Sequence, residues 1–578
     1  MTGDAPPRSS ERRFDTLAAL AIALAGIAAY ANTFDGEFVW DDVSSVLLHE
    51  HVRDPGKILS LFTEDQHAFA GGQGNFYRPL VSVSFTVDYV LSSIGASDRD
   101  PAVVPYDLGT FFFHLSNALW HIAAALLLLL VMRRAGAPRA VYAVVPLLYV
   151  LHPLHTEAVA YISGRADSMS AVFIFAALAC AIGPTPAKRP TFNLGLILLF
   201  FTCGLLSKES AFIFPALLGL AILLLPRSSE DSSPTQPLQR WLPLGAALIV
   251  LGAYAALRAT VLNFDSDSTP PDSTIGERIV EAAQALALYA GLIAVPTGLH
   301  MERTLSDIPA YAAPAGFGFV AVLLLLFVLT WRSGRPRVAL GLAWFLVAWL
   351  PISGVFPLNA PLAEHWMYVP LAGLLWACGE LLYELTGTRA PAGARTPLAA
   401  AAGVVVALWA ILLLGLTVDR NADWHSNESI YSATLRENPE STRVHFNLGV
   451  TYQDMLNNPP GARRHFEAVT RVYTKRKLDD PSIRDEYWNE ELESHLSLGD
   501  ILFDQGRLAE AFNHYRLLGS VLANDSTPAN RYLFAMATLG MGRCHLSLGN
   551  TDAARQQFQL AVQVMPELQP QIQSLLSG

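Results

Sequence analysis

Five side chains suited to proton or phosphate chemistry lie in the twenty-residue stretch Leu151–Ser170, which is otherwise built largely from small and apolar residues. Ionisable residues held near membrane depth are energetically expensive and usually face a polar cavity. Imidazole and carboxylate groups transfer protons, and arginine binds phosphate oxygens. The pattern predicts one wall of an active site where a membrane meets water. The alternative is a polar turn that only contacts lipid headgroups. The five residues are His152, His155, Glu157, Arg165 and Asp167.

Three more polar clusters interrupt the apolar sequence, and the predicted topology places all of them on the same side of the membrane. An Asp-Asp pair alone is typical of a solvated loop, and a lone lysine at the end of a span is typical of a headgroup anchor. Together they would border one cavity with acids suited to base catalysis and cations suited to phosphate. The clusters are Asp41-Asp42, Ser207-Lys208-Glu209 and Glu364-His365, with Tyr77-Arg78 as a candidate addition.

Composition indicates a membrane protein. Of the 578 residues, 52% are hydrophobic and 15% charged, and the mean hydropathy is +0.33. Soluble proteins carry about 25% charged residues. The net charge of −11 argues against a nucleic-acid partner. The four cysteines are scattered without metal-ligand spacing, so we expect neither a disulfide framework nor a zinc site.

The N-terminal region predicts a first helix followed by a long loop outside the cytoplasm. Arg12 and Arg13 precede the apolar run 14–31, whose last three residues, Ala-Tyr-Ala, resemble a signal-peptidase site. We favour an uncleaved helix, because the loop that follows needs tethering at the membrane surface. The loop 32–106 holds four basic and eleven acidic residues, and its net charge of −7 is typical of a non-cytoplasmic loop.

Eleven stretches are predicted to span the membrane, since a spanning helix needs about 20 mostly apolar residues. The segment 276–297 carries Glu277, Arg278 and Glu281, so we expect it to lie flat at the outer surface as an amphipathic helix. The predicted fold is an all-α polytopic membrane protein with its C-terminal region outside. The spans are 14–31, 107–132, 140–160, 167–183, 192–207, 209–226, 241–260, 311–331, 338–355, 366–385 and 397–418.

The positive-inside rule supports this number of spans. With eleven spans, every basic cluster falls on the cytoplasmic side. If 276–297 also crossed the membrane, the cluster around Arg335 would lie outside. The basic residues used are Arg12/Arg13, Arg133/Arg134/Arg139, Lys188/Arg189, Arg227/Arg240, Arg332/Arg335/Arg337 and Arg389/Arg395.

The sequence predicts two domains, a multi-spanning region 1–426 and a repeat region 427–578. In the second region Gly499 and Ala511 are twelve residues apart, as are Gly542 and Ala554. This spacing matches the small-residue positions of tetratricopeptide repeats, where paired helices pack closely. Three repeat units are present, enough for a stable stack, and an unrelated helical bundle is the alternative. Stacked helix pairs form a concave surface suited to extended polypeptides.

Several motifs occur across nearly the whole chain in the order typical of one family. They are Gly36-Glu-Phe-Val-Trp-Asp-Asp42, Tyr77-Arg-Pro-Leu80, His152-Pro-Leu-His-Thr-Glu-Ala-Val-Ala160, Gly164-Arg-Ala-Asp167, Leu206-Ser-Lys-Glu209, Ala363-Glu-His-Trp-Met-Tyr-Val-Pro370 and Arg420-Asn421 with Trp424. On these motifs the chain resembles the transmembrane and tetratricopeptide-repeat-containing O-mannosyltransferases, within the GT-C class of multi-spanning glycosyltransferases. His365 departs from the family pattern, in which an arginine is expected at the position after Glu364.

The resemblance implies a glycosyltransferase that uses a polyprenyl-phosphate-linked sugar, with mannose as the expected sugar. The sugar passes with inversion to a hydroxyl of an acceptor, expected to be a Ser or Thr of a polypeptide bound by the repeats. This donor needs no cofactor, no nucleotide and no divalent metal, because arginine and lysine can hold its single phosphate.

The resemblance also implies roles for the clustered residues. Asp41 is expected to orient or deprotonate the acceptor hydroxyl, with support from Asp42. Cations and histidines are expected to meet the donor phosphate, and Glu364 is expected to hold sugar hydroxyls or fix a cation. The expected donor-binding residues are Arg165, Lys208, His152, His155, Arg78 and Glu364, with Glu157, Asp167 and Glu209 as further site residues.

Two other functions compete with this interpretation. A membrane-anchored repeat scaffold without chemistry would explain the repeats and the topology but leave the polar clusters unrelated. A transporter would place ionisable residues in the middle of its spans rather than at their outer ends. For location, the many Ala and Leu residues favour a bacterial cytoplasmic membrane with a periplasmic active site. The luminal face of the endoplasmic reticulum membrane is the alternative.

Overall fold

The computed structural model describes residues 9–577, apart from 70–74, 95–107, 183–189, 227–235, 263, 265–272, 304–307, 310, 357, 359, 388–396, 484–486 and 524–526. The described residues form helices and turns and contain no strand, so the predicted all-α class is confirmed. The chain divides into two compact units, Met1–Ser426 and Asn427–Gly578.

In the described part of the first unit there are fourteen α-helices. In chain order they are α1 Ser9–Tyr30, α2 Pro79–Ser93, α3 Phe111–Arg134, α4 Arg139–Val150, α5 Thr156–Val159, α6 Arg165–Ala181, α7 Pro190–Leu205, α8 Phe214–Leu224, α9 Gln236–Thr260, α10 Ile275–Ala294, α11 Ala312–Arg332, α12 Pro336–Trp349, α13 Tyr368–Leu385 and α14 Pro397–Asp423.

Within the described parts of the chain, six helical segments are long and apolar enough to cross a membrane, and they contain α1, α3, α6, α9, α11 and α14. Four shorter apolar segments contain α4, α7, α8 and α12. With α13, these give eleven helices at the eleven predicted spans among the described residues. An apolar run favours a helix in a membrane, because only the helix satisfies all backbone groups within the segment.

Two ion pairs between helices identify one end of the helix bundle. Arg139 at the start of α4 pairs with Glu11 at the start of α1 at 2.5 Å. Arg337 at the start of α12 pairs with Glu380 near the end of α13 at 2.9 Å. The predicted cytoplasmic cluster residues Lys188, Arg189, Arg227, Arg389 and Arg395 lie outside the described residues. The opposite end, where residues 151–167 lie, is called the site end below.

Helices α9 and α10 both end at the site end. α9 finishes there, where Arg258 donates to the Asn75 side chain at 2.6 Å. α10 also finishes there, because the Ile293 carbonyl is 3.1 Å from His152 Nε2. α10 therefore adds no net crossing between α9 and α11, which agrees with the odd number of spans. Its flat orientation stays a prediction.

One predicted span ends early. The sequence predicts a helix over 140–160, but α4 ends at Val150 and the chain then turns. Pro153 explains this, since the residue before a proline is pushed away from helical geometry and His152 has an extended ψ of 124°. The polar residues that follow therefore lie in turns and in the short α5 rather than along a continuous helix.

The second unit consists of helices that pack one against the next along the chain, and the last two share a hydrophobic cluster. Close approach depends on glycine: a Cβ added at Gly499 would lie 2.5 Å from the Tyr515 ring, and one at Gly542 would lie 2.4 Å from the Phe558 ring. Assignment of these pairs as tetratricopeptide repeats stays a prediction. The helices are α15 Asn427–Glu437, α16 Thr442–Val450, α17 Pro459–Asp479, α18 Asn489–Asp504, α19 Leu508–Leu522, α20 Pro528–Ser547, α21 Thr551–Val564 and α22 Gln569–Ser577.

Candidate active site

The stretch 151–170 folds into two tight turns around α5 and is buried along its length, with only Gly164 partly exposed. A Cβ at Gly164 would lie 2.2 Å from the Glu157 carbonyl oxygen, so the second turn closes only around glycine. The Asn117 side chain of α3 binds the backbone of the same turn. Its amide donates to the carbonyl oxygens of Val159, Tyr161 and Ile162 at 3.0–3.2 Å. Burial argues against a turn that only contacts headgroups.

Asp42 joins the first loop to this stretch. Its carboxylate accepts hydrogen bonds from the Val39 amide at 3.0 Å, the Ser163 amide at 2.8 Å and the Ser163 hydroxyl at 2.6 Å. The side chain is fully buried. Burial raises the pKa of Asp42 to about 7, while the bonds from Ser163 and Val39 act in the opposite direction. With its oxygens engaged inside the protein, Asp42 can position the loop.

Asp41 lies beside Asp42 but is partly exposed. The Tyr161 hydroxyl hydrogen-bonds to Asp41 and to Ser163, so Asp41 is held on the same turn. The preceding Trp40 has a φ of +50°, a left-handed conformation that bulky residues rarely adopt. Such strain persists only where surrounding contacts impose it, and it is commonest at functional sites. Of the two adjacent acids, Asp41 is the one that a substrate can reach.

Three aromatic rings form a continuous stack beside Asp41. The rings of Trp40 and Tyr161 are stacked at 5.6 Å, and those of Tyr161 and Trp424 are stacked at 5.2 Å. The guanidinium of Arg420 lies over Trp424, 5.7 Å from the ring centroid. The stack therefore connects Asp41 to a cluster of charged groups around Glu364.

Glu364 is almost fully buried and lies between two arginines. Its Oε1 accepts from the His300 amide at 2.7 Å and from Arg303 at 3.0 Å. Its Oε2 accepts from Arg420 at 3.5 Å, and Arg420 also pairs with Asp423 at 3.0 Å. Glu364 therefore pairs with two arginines distant in sequence. Its role in holding sugar hydroxyls or fixing a cation stays a prediction.

Glu157 and His365 form a hydrogen-bonded pair in this region. Glu157 accepts from His365 Nδ1 at 2.9 Å and from the His365 backbone amide at 3.1 Å. The residue that departs from the family pattern thus contacts one of the predicted site acids. The pair links the buried stretch to the start of α13.

Arg165 is fully buried beneath the site, with its guanidinium bonded inside the protein. It donates to the Asn117 side chain at 2.6 Å, to Ser84 at 3.0 Å and to the Phe113 carbonyl at 2.9 Å. It also pairs with Asp88. These contacts fix α6 against α2 and α3. Contact of Arg165 with a donor phosphate stays a prediction, and such contact would require these partners to change.

The other two predicted cations are also paired. Lys208 Nζ contacts both carboxylate oxygens of Asp167 at 2.8 and 2.7 Å. Arg78 donates to both oxygens of Glu209 at 3.2 and 2.7 Å. These four residues come from three motifs and form two ion pairs at the site end.

The two predicted histidines are buried and differ in their contacts. His152 Nε2 lies 3.1 Å from the Ile293 carbonyl, and its Nδ1 accepts from the Leu154 amide at 3.3 Å. Neither ring nitrogen of His155 has a hydrogen-bond partner among the described residues. Its ring packs against those of Tyr149 and Tyr368 at 4.4 and 4.5 Å. His152 holds the turn, and His155 packs among aromatic rings.

Sequence analysis of single clusters missed several residues of this site. Arg303 lies in a polar segment without a distinguishing motif. Arg420 and Trp424 belong to a motif that the resemblance identified without assigning a role. Among the described residues, no group of three or more His, Cys, Asp or Glu is arranged to hold a metal ion. Independence from a divalent metal stays a prediction.

Comparison with known proteins finds relatives over most of the chain. Protein O-mannosyl-transferase F38B6.6 of Caenorhabditis elegans is 21% identical over 478 residues, covering 81% of this chain and 64% of the relative. Protein O-mannosyl-transferase TMTC1 of Homo sapiens is 25% identical over 508 residues, covering 79% and 55%. Protein O-mannosyl-transferase TMTC4 of Mus musculus is 24% identical over 505 residues, covering 76% and 64%.

The resemblance carried by the motifs is thereby confirmed. The chain spans between 55% and 64% of the length of these three relatives. No family model and no solved structure matches the chain.

Proposed function

We propose that this chain, which is similar over about four-fifths of its length to protein O-mannosyl-transferases, transfers a sugar from a polyprenyl-phosphate donor to a protein hydroxyl. Mannose is the proposed sugar because the relatives' names specify it. The observation that carries the proposal is the accessible acid Asp41, fixed by Tyr161 and supported by the buried Asp42, at the end where the polar motifs converge.

The proposed reaction is a single displacement with inversion at the anomeric carbon. The acceptor oxygen forms a bond to that carbon while the bond to the phosphate oxygen breaks. The bonding electron pair leaves with the phosphate, and the hydroxyl proton passes to Asp41. General base catalysis by a positioned carboxylate contributes about 10²- to 10⁴-fold.

Asp41 suits the role of base better than Asp42. Asp42 is fully buried, so an acceptor hydroxyl cannot reach its oxygens without unfolding the loop. Its contacts with Val39 and Ser163 set the loop conformation that presents Asp41. We therefore assign Asp42 as a positioning residue and Asp41 as the catalytic residue.

We place the reaction outside the cytoplasm, at a bacterial cytoplasmic membrane, with the endoplasmic reticulum lumen as the alternative. A lipid-linked donor suits such a site because it needs no nucleotide. We propose that residues 427–578 bind the polypeptide acceptor and raise its effective concentration without adding a catalytic contact.

The test is transfer by the purified full-length chain in lipid nanodiscs. Radiolabelled polyprenyl-phosphate mannose is offered with a Ser/Thr-rich polypeptide, and polyprenyl-phosphate glucose and a nucleotide-linked mannose serve as comparison donors. The proposal expects label on the polypeptide from the mannosyl lipid and an inverted product. No transfer from any lipid-linked donor would favour the scaffold function, and transfer from the nucleotide donor alone would overturn the donor class.

A further inference from the structure

Two arginines at the site end share a single buried carboxylate. Arg303 and Arg420 each contact Glu364, at 3.0 and 3.5 Å. The side chains of Arg303, Arg420 and Glu364 are 10%, 5% and 1% exposed. These three groups carry a net charge of +1. Asp423, which is 24% exposed, pairs with Arg420 on the solvent side and offsets the remaining charge.

Three polar atoms around this carboxylate lack hydrogen-bond partners within the described part of the chain. They are Arg303 Nε, Arg420 Nε and His300 Nδ1, and all are buried. A buried donor without a partner is unfavourable, and each guanidinium Nε–H is an obligatory donor. All three atoms belong to residues that contact Glu364, so three unpartnered polar atoms lie around one carboxylate. A ligand rich in acceptor oxygens would satisfy the two arginine donors.

The three cations that the sequence predicts to meet the donor phosphate have their contacts within the protein. Lys208 is paired with both oxygens of Asp167, Arg78 with both oxygens of Glu209, and Arg165 with Asp88 and three neutral acceptors. Binding a phosphate at any of them would require breaking a formed ion pair. Arg303 and Arg420 can donate hydrogen bonds from Nε to a phosphate while their Nη2 groups stay paired with Glu364.

We propose that Arg303 and Arg420, held in place by Glu364, bind the phosphate of the lipid-linked donor. The inference rests on the proposed function and identifies the subsite for its leaving group. When the bond to the sugar breaks, the phosphate diester with one negative charge becomes a monoester that gains a second. Two guanidinium groups stabilise this added charge.

The test measures binding of polyprenyl phosphate, which carries no sugar, to the full-length chain in neutral-lipid nanodiscs. The double variants Glu364→Gln/Arg420→Gln and Glu364→Gln/Arg303→Gln each remove one positive and one negative charge, so neither leaves a buried carboxylate unpaired. Each is expected to bind about 10- to 100-fold more weakly than the unchanged chain, because one charged contact to phosphate is lost.

The opposite end of the same unit offers a matched control. Arg337 pairs there with Glu380, which is also 1% exposed. The double variant Arg337→Gln/Glu380→Gln makes the same chemical change away from the site and is expected to leave binding unchanged. Equal affinity of all three double variants and the unchanged chain would overturn the proposal.

The binding assay also separates this proposal from the proposed function. Polyprenol without phosphate, and phosphatidylglycerol included in the nanodisc, are the comparison ligands. Both are expected to compete poorly with polyprenyl phosphate for binding. Equal competition by phosphatidylglycerol would identify a general headgroup site and overturn the inference. If the unchanged chain binds polyprenyl phosphate and the Arg303 and Arg420 double variants bind it with the same affinity, the proposed subsite is wrong. That result would not contradict the proposed sugar transfer.

Discussion

At the scale of single residues, two adjacent aspartates have opposite environments. Asp42 is buried and bonded to Val39 and Ser163, whereas Asp41 is partly exposed and held by Tyr161. Burial disfavours the charged form of a carboxyl group, and exposure lets it meet a substrate. This difference assigns Asp41 as the base and Asp42 as the residue that supports it.

The pKa of Asp42 gives a stability prediction. Burial raises this pKa from 3.8 to about 7, so between these values the folded state holds a proton that the unfolded chain has released. The Asp42 contribution to the free energy of unfolding is therefore fully present below about pH 4. It declines as the pH rises to about 7, by up to about 4 kcal/mol.

The Asp42→Asn variant removes this titration. The thermal midpoint of the unchanged chain, measured from pH 4.5 to 8, should fall relative to that of Asp42→Asn as the pH rises. Asp54→Asn changes an exposed acid in the same loop and should follow the unchanged chain. A constant difference between Asp42→Asn and the unchanged chain at every pH would contradict the burial argument.

Sequence patterns predicted which motifs gather at the site end but not which groups pair there. Asp167 and Lys208 are both visible as site candidates, yet their ion pair depends on packing between α6 and the turn after α7. Glu364 and Arg303 are 61 residues apart and meet only in the folded chain. Pairing decides which cations stay available for a ligand, and no single motif contains that information.

At the scale of elements, the turn after α5 positions the site. Ser163 bonds to Asp42, and Tyr161 bonds to Asp41 within the same turn. Asn117 of α3 and Arg165 of α6 hold this turn from below. Gly164 allows the closure, because its missing side chain leaves room for the Glu157 carbonyl.

Gly164→Ala should therefore destabilise the fold and reduce transfer. The new Cβ would lie 2.2 Å from the Glu157 carbonyl oxygen, and overpacking of this kind costs about 1–3 kcal/mol. The measurement is the thermal midpoint together with the transfer rate. Gly195→Ala in α7 is the control, since a Cβ there meets no described atom within 4 Å. Equal midpoints for the two variants would show that the turn tolerates a side chain.

Helix positions were easier to predict than turns. Apolar runs of membrane length favour one backbone structure, so helices occur at each of the predicted spans within the described residues. The span over 140–160 was too long, because hydropathy continues past His152 while Pro153 ends the helix. Steric restriction by one proline outweighs the apolar character of the following residues.

At the scale of the whole molecule, the arrangement of helix ends supports a topology that chemical labelling can check. In a chain without its four native cysteines, cysteine at Asp54 or Ser520 should react with an impermeant reagent from outside. Cysteine at Ala135 or Ser333 should be protected, because basic residues border both positions. Labelling at position 333 but not at 520 would mean that 276–297 crosses the membrane.

The two compact units also predict separable functions. Truncation after Ser426 should preserve the helical membrane unit and any slow hydrolysis of the lipid donor by water. Transfer to a polypeptide at low acceptor concentration should fall strongly, because acceptor tethering is lost. The measurement compares hydrolysis and transfer in the same preparation. Undiminished transfer would assign residues 427–578 to docking on another protein.

The role of Asp41 is tested most directly by Asp41→Asn in the reconstituted transfer assay. The change removes the charge with little change in volume, so the turnover rate should be about 10²- to 10⁴-fold lower, with donor binding and thermal midpoint retained. Asp54→Asn, an exposed acid in the same loop, should retain full turnover. Near-normal turnover by a folded Asp41→Asn protein would contradict the assignment of Asp41 as the base.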